Sequence, residues 1–132
     1  MLNRPAHELV VAVIGAGTMG AGIAQVAAQA GHPVRLYDTR DGAAAQARDG
    51  IAKALAGLVA KGRLEAAAAD AAVARITPAG TLAELADAGL VVEAIVENLA
   101  VKQQLFADLE ALLAPEAVLA SNTSSLSITA LA

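Results

Sequence analysis

The sequence predicts a doubly wound α/β fold, a parallel sheet with helices on both faces, and three observations carry that prediction. Short apolar runs suited to strands recur at Val10–Ile14, Val34–Asp38, Leu90–Ile95 and Ala117–Ala120. The segments between them are longer, and their apolar residues fall at helical spacing. A glycine-rich turn, Gly15-Ala16-Gly17-Thr18-Met19-Gly20, joins the first run directly to the first helix. Strands alternating with helices in one chain build a parallel sheet through right-handed crossovers.

Taken in order, Met1 to Glu8 is a short polar lead-in containing Pro5. Val10–Ile14 is a buried strand, and after the glycines Ile23, Val26, Ala27 and Ala30 mark one face of a helix that Gly31 can end in a left-handed conformation. Val34–Asp38 alternates like a strand and closes on a carboxylate. Thr39 or Asp41 is placed to cap the next helix, whose apolar positions are Ile51, Leu55 and Leu58 and whose end is Lys61-Gly62-Arg63, cations near the negative pole of the dipole. The alanine-rich Leu64–Ala74 has high helix propensity and reads as a short helix. Arg75-Ile76-Thr77 before Pro78 reads as a short strand. Thr81-Leu82-Ala83-Glu84 is a capping box opening a helix that Gly89 closes. After the strand Leu90–Ile95, Asn98 can cap a helix with Val101, Leu105, Leu109 and Leu112 on its apolar face and Pro115 at its end. Ala117–Ala120 is the fifth strand and leads into Ser121-Asn122-Thr123-Ser124-Ser125.

Composition narrows the class. At 132 residues the chain reads as a single domain, 1–132, large enough to bury roughly two-thirds of its unfolded surface. Its hydrophobic fraction is 57% but only 2% is aromatic, so the core must be built from Val, Leu, Ile and Ala, material that suits a parallel sheet under helices. A net charge of −4 with no basic run argues against a nucleic-acid partner. There is no cysteine, and His7 and His32, widely separated, provide no material for a metal cluster and read as exposed loop histidines. A membrane or export segment is the rival for Leu9–Val34, which holds no Asp, Glu, Lys or Arg and carries a signal-peptidase-like Ala28-Gln29-Ala30. Gly15, Gly17, Gly20, Gly22, Gln25 and Gln29 interrupt that run, and Glu8 precedes it, so a cytoplasmic chain with no membrane partner is expected.

The glycine turn has a chemical reading. Gly15 permits the tight turn, Gly17 removes a Cβ that would hold the backbone away from a pyrophosphate, and Gly20 lets helix pack closely on strand. Phosphates would then face unpaired N–H groups at the positive end of a helix. Asp38 follows Gly15 by 23 positions, near the spacing of about 20 expected for the acid that binds a ribose 2′-hydroxyl. A 2′-phosphate would be repelled there, which favours NAD over NADP, with Arg40 pulling the other way. In a doubly wound sheet ligands lie beyond the carboxyl ends of the strands. Those ends carry Gly15–Gly20, Asp38, Glu93–Glu97 and Ser121–Ser125; plain surface acids and an ordinary polar helix entry are the alternative for the last two groups.

Three motifs in order, VIGAGTMGAGIAQVAAQAG, VVEAIVENLAVKQQLF and LASNTSSLSIT, resemble the N-terminal Rossmann domain of the 3-hydroxyacyl-CoA dehydrogenases, including the 3-hydroxybutyryl-CoA enzymes. The second and third motifs separate that family from the 6-phosphogluconate and 3-hydroxyisobutyrate dehydrogenases. The resemblance implies reversible hydride transfer between C3 of an (S)-3-hydroxyacyl-CoA and NAD. It assigns the pyrophosphate to Gly15, Ala16, Gly17, Thr18, Met19 and Gly20, the adenine ribose to Asp38, and the nicotinamide half of the site to Glu97 and Lys102. Ser124 matches the serine that positions the substrate's C3 oxygen and touches the cofactor, Asn122 helps shape that pocket, and Lys61 matches a lysine that contacts CoA. A second CoA contact, a serine in some members, falls on Ala54 and is lost. The family's base is a histidine in a glycine-leucine-histidine-phenylalanine segment roughly 20 residues beyond Ser124, paired with a glutamate further on, and neither His7 nor His32 matches it. The expectation is therefore a domain truncated at its C-terminal end, lacking the all-helical domain through which the parent enzyme forms a homodimer. Such a chain would bind NAD with little turnover. A related hydroxy-acid dehydrogenase and a non-catalytic NAD-binding module are the alternative readings.

Overall fold

The computed structural model describes residues 9–94, 99–113 and 117–121. Among these, five strands form one sheet: β1 (Val11–Ile14), β2 (Val34–Tyr37), β3 (Ile76–Pro78), β4 (Leu90–Glu93) and β5 (Val118–Ser121). The helices are α1 (Thr18–Gln29), α2 (Ala43–Ala60), α3 (Ala66–Ala74) and α4 (Leu99–Leu112), with a one-turn 3-10 helix at Leu82–Leu85. Strand order is β3-β2-β1-β4-β5 and every pairing is parallel. The chain moves outward from β1 to β3, then crosses back to β4 beside β1. The switch in direction therefore lies between β1 and β4, with Ile14 in register with Tyr37 on one side and Glu93 on the other.

Alternation along β1 divides the core in two. Val11 and Val13 face a cluster with Val34, Leu36, Ile51, Leu55 and Ile76, covered by α1, α2 and α3. Ala12 and Ile14 face the other way, onto Leu85, Val91 and Leu109, under the 3-10 turn and α4. All four residues of β1 are at most 3% exposed, as a central strand covered on both faces requires. Alanines make the first layer thin: Ala24 and Ala28 of α1 and Ala69 and Ala72 of α3 are buried, and their small side chains let the helices approach closely. Two arginines tie this layer together. Arg48 Nε donates to the Ile76 carbonyl at 2.8 Å and its Nη2 to that of Val73 at 3.2 Å, while Arg75 Nη1 donates to the Ala28 carbonyl at 2.8 Å near the end of α1.

Helix ends explain where the chain turns. Gly31, at φ +105°, closes α1: its N–H reaches the Ala28 carbonyl at 3.1 Å and the His32 N–H that of Ala27 at 3.1 Å, the two bonds of a Schellman cap. Gly62, at φ +71°, closes α2 in the same way onto Val59 and Leu58. Neither Thr39 nor Asp41 caps α2. Gly42 takes the N-cap position in a left-handed conformation, φ +76°, because the chain has just folded over Asp38, whose carboxylate binds the Arg40 N–H. The helix after Arg63 begins at Ala66, and the Thr81 segment makes one 3-10 turn. There the Glu84 carboxylate accepts the Thr81 N–H at 2.7 Å; Gly89 belongs to the next strand's entry, donating to the Val10 carbonyl at 2.9 Å. Pro78 ends β3, an edge strand where its missing N–H costs no ladder bond. Phe106 joins Leu109 as a buried residue of α4. His32 is half-buried, with its Nδ1 3.2 Å from the Leu9 carbonyl. Asn98, Pro115 and His7 lie outside the described residues.

Candidate functional site

The site grows from the carboxyl end of β1. Gly15 has φ +105°, a conformation that side chains disfavour, and its N–H donates to the Tyr37 carbonyl at 2.7 Å. The next N–H, that of Ala16, donates to Asp38 Oδ2 at 2.8 Å. The turn after β1 is thus fastened to the end of β2 by two consecutive amides. Gly17 is the N-cap of α1 and offers no side chain to the helix's first amides. With no side-chain cap there, the positive end of a helix twelve residues long faces the turn, a place that favours an anion.

The glycines of the turn differ in what excludes a side chain. A Cβ on Gly20 would stand 1.6 Å from the Gly15 carbonyl oxygen and 3.5 Å from Val13 Cγ1, so helix and strand touch at that point. A Cβ on Gly17 would have no heavy atom of the described residues within 4 Å, and φ −74°, ψ −170° is open to any residue. Protein packing therefore accounts for Gly20 but not for Gly17. The open space beside Gly17 is the kind a phosphate group fits, since only the absent Cβ lets backbone amides come close. Thr18 and Met19 are exposed at the start of α1. A cleft of about 550 Å³ runs from Ala16, Gly17 and Thr18 along α1 to the first half of α2, with Arg40 on its wall.

Asp38 is the charged centre of this region. Oδ2 accepts from Ala16 and from Arg40 Nη2 at 3.0 Å, and Oδ1 from the Arg40 N–H at 2.8 Å and Arg40 Nε at 3.0 Å. The Arg40 side chain, foremost, and these two backbone amides hold the carboxyl at about 2, below its usual 3.8, while burial pushes the other way. A depressed folded-state pKa means that the anion stabilises the fold. That contribution is whole above the usual value and is lost as pH falls from about 4 to about 2. Urea unfolding at stepped pH should show it: the stability advantage of the wild type over Asp38→Asn shrinks across that window. An advantage that stays constant to the acid limit would contradict the assignment.

The other sequence-predicted residues are not all brought together. Lys61 is the C-cap of α2, an 18-residue helix about 27 Å long that starts beside the glycine turn, so it stands at the remote end. Lys102 is in the first turn of α4, the helix that follows β4. Glu97, Asn122 and Ser124 lie outside the described residues. Glu93 is no surface acid: it is fully buried at the end of β4. Its place in an apolar run, LVVEAI, was the signal for that burial. Reading residues by type missed the ion pair of Arg40 with Asp38, although their two-residue separation was the available cue.

A parallel sheet in this order, with a glycine turn at its switch point and an acid at the end of β2, defines a dinucleotide-binding Rossmann domain. Residues 10–132 match the family described as 3-hydroxyacyl-CoA dehydrogenase, NAD binding domain, and the chain belongs to that family, with NAD as its cofactor. The 3-hydroxyadipyl-CoA dehydrogenase of Escherichia coli K12 is 49% identical over 122 residues, 92% of this chain and 26% of the relative. A probable 3-hydroxybutyryl-CoA dehydrogenase of Deinococcus radiodurans is 48% identical over 120 residues, 91% of this chain and 43% of the relative. The crystal structure of a 3-hydroxybutyryl-CoA dehydrogenase from Escherichia coli K12 superposes with a TM-score of 0.88 at 48% identity, covering 93% of this chain and 26% of that one. The chain thus spans between about a quarter and two-fifths of the length of these curated relatives. Among the described residues no helix is long and apolar enough to cross a membrane, and Leu9–Val34 is divided among β1, α1 and the first residue of β2.

Proposed function

We propose that residues 1–132 form one NAD-holding domain serving the oxidation of an (S)-3-hydroxyacyl-CoA to the 3-oxoacyl-CoA. The observation that carries this reading is the Ala16 amide bound to the Asp38 carboxylate, which fixes an acid beside an open glycine turn at the switch point of the sheet. Gly15 to Gly20 would hold the pyrophosphate and Asp38 the adenine ribose. Lys102, and Glu97 from the segment before α4, would border the nicotinamide, with Ser124 positioning the substrate oxygen, Asn122 shaping the same pocket and Lys61 reaching for the CoA moiety. A bound NAD would supply the hydride acceptor for C3. The hydroxyl proton needs a base within hydrogen-bond reach. His32 does not supply it, because it sits between α1 and β2 at the amino-terminal ends of the strands, away from the glycine turn and against the Leu9 carbonyl.

A cytoplasmic setting and assembly of the working enzyme as a homodimer belong to the same reading. Fluorescence titration with NADH, run beside NADPH, tests its core. Saturable binding with a clear NADH preference is expected, together with little or no oxidation of 3-hydroxybutyryl-CoA by these 132 residues. A folded chain that binds neither nucleotide would overturn the cofactor assignment, and robust turnover would overturn the need for a base from elsewhere.

A further inference from the structure

We propose that the Arg40 guanidinium is a built-in competitor for the adenosine ribose, occupying in the free protein the positions on Asp38 that a ribose diol would use, and a partner for a 2′-phosphate once displaced. The inference rests on the NAD reading above and goes beyond it by making Arg40 a determinant of nucleotide affinity and choice.

A carboxylate offers about four acceptor positions. Asp38 has all four filled: two by the backbone amides of Ala16 and Arg40, two by Arg40 Nε and Nη2. The amides are fixed by the fold, and they hold a carboxylate whose side chain is only 6% exposed. The guanidinium is on a side chain 68% exposed, free to swing into water. The exchangeable pair is therefore the guanidinium pair. A ribose presents two adjacent hydroxyl donors, which need the same two outward lone pairs, and it gains them only by displacing Arg40. The anchoring amides stay in place, so the carboxylate need not move when the partner changes.

Displacement has a second consequence. Arg40 is two residues from Asp38 and lines the same cleft as Ala16, Gly17 and Thr18. Its planar fork matches phosphate oxygens in pairs. A nucleotide carrying a 2′-phosphate meets repulsion from Asp38 but finds the released guanidinium at hand, whereas one with a free 2′-hydroxyl leaves it without a new partner. One side chain thus weakens NADH binding and sustains NADPH binding.

The test is fluorescence titration of the 132-residue chain and of Arg40→Gln with both nucleotides. An exposed ion pair is a weak competitor, so Arg40→Gln should bind NADH about 2- to 5-fold more tightly and NADPH about 3-fold or more weakly. Effects of opposite sign cannot come from general loosening of the turn. Arg40→Lys keeps the charge but loses the fork; it should retain most of the NADPH affinity and gain less for NADH. If the wild type binds NADH saturably and Arg40→Gln binds it no more tightly, the competitor role is overturned while the NAD reading stands. A folded wild type that does not bind NADH overturns both.

Discussion

Gly20→Ala should cost this chain its fold. The added methyl would lie 1.6 Å from the Gly15 carbonyl oxygen and 2.8 Å from the carbonyl carbon, and neither is the movable end of a side chain. Relief requires α1 to move off β1 or Gly15 to leave its φ of +105°, and either displaces the Gly15 and Ala16 amides that fasten the turn to Tyr37 and Asp38. Overpacking of a rigid backbone contact belongs with the largest single-residue effects, above about 4 kcal/mol, against a total stability of about 5–15 kcal/mol. Thermal unfolding followed by circular dichroism should show a midpoint lowered by at least about 10 °C, or no cooperative transition at all. Gly57→Ala is the matched control. Gly57 lies within α2, where a Cβ meets nothing among the described residues within 4 Å, so alanine should raise stability by up to about 1 kcal/mol through helix propensity and the unfolded chain's entropy. A Gly20→Ala protein as stable as the wild type would mean that α1 and β1 do not touch there.

What was legible in the sequence follows from the range of the forces involved. The strands could be read because a central parallel strand is buried on both faces, which demands an unbroken apolar run such as Val11–Ile14. Gly31 could be read as a helix end because a left-handed cap is a local need of the backbone, whereas the end of α2 was marked by the cations of Lys61-Gly62-Arg63 and Gly62 supplies the same left-handed cap there. The site was legible in outline, as glycines and an acid at the right separation. Its wiring was not. The Ala16–Asp38 bond joins residues 22 apart and depends on how β1 and β2 pair, and Arg48 and Arg75 bind carbonyls 28 and 47 positions away. Thr39 and Asp41 looked like caps because capping preference is a property of residue type. What placed Gly42 there instead was the fold of residues 38 to 42 around the Asp38 carboxylate. Periodicity likewise favoured leucines along α4 and passed over Phe106, whose burial is decided by what packs against the second face of the sheet.

Gly17→Ala should do the reverse of Gly20→Ala: leave the fold and remove the ligand. Among the described residues nothing lies within 4 Å of the new Cβ, and the backbone at Gly17 is already in a region that alanine adopts. The cost to folding is limited to a somewhat poorer N-cap, about 1 kcal/mol or less. Binding is another matter, because the methyl would stand at the start of α1, where a pyrophosphate must come within hydrogen-bond distance of backbone. Losing those charge-assisted bonds together should weaken NADH by about 100-fold or more. The melting midpoint should shift by only a few degrees, and the affinity should collapse. That pairing separates a glycine required by a ligand from one required by packing, which neither measurement does alone. An unchanged NADH affinity in Gly17→Ala would remove the pyrophosphate from this turn, and with it the role assigned here to the open space beside Gly17.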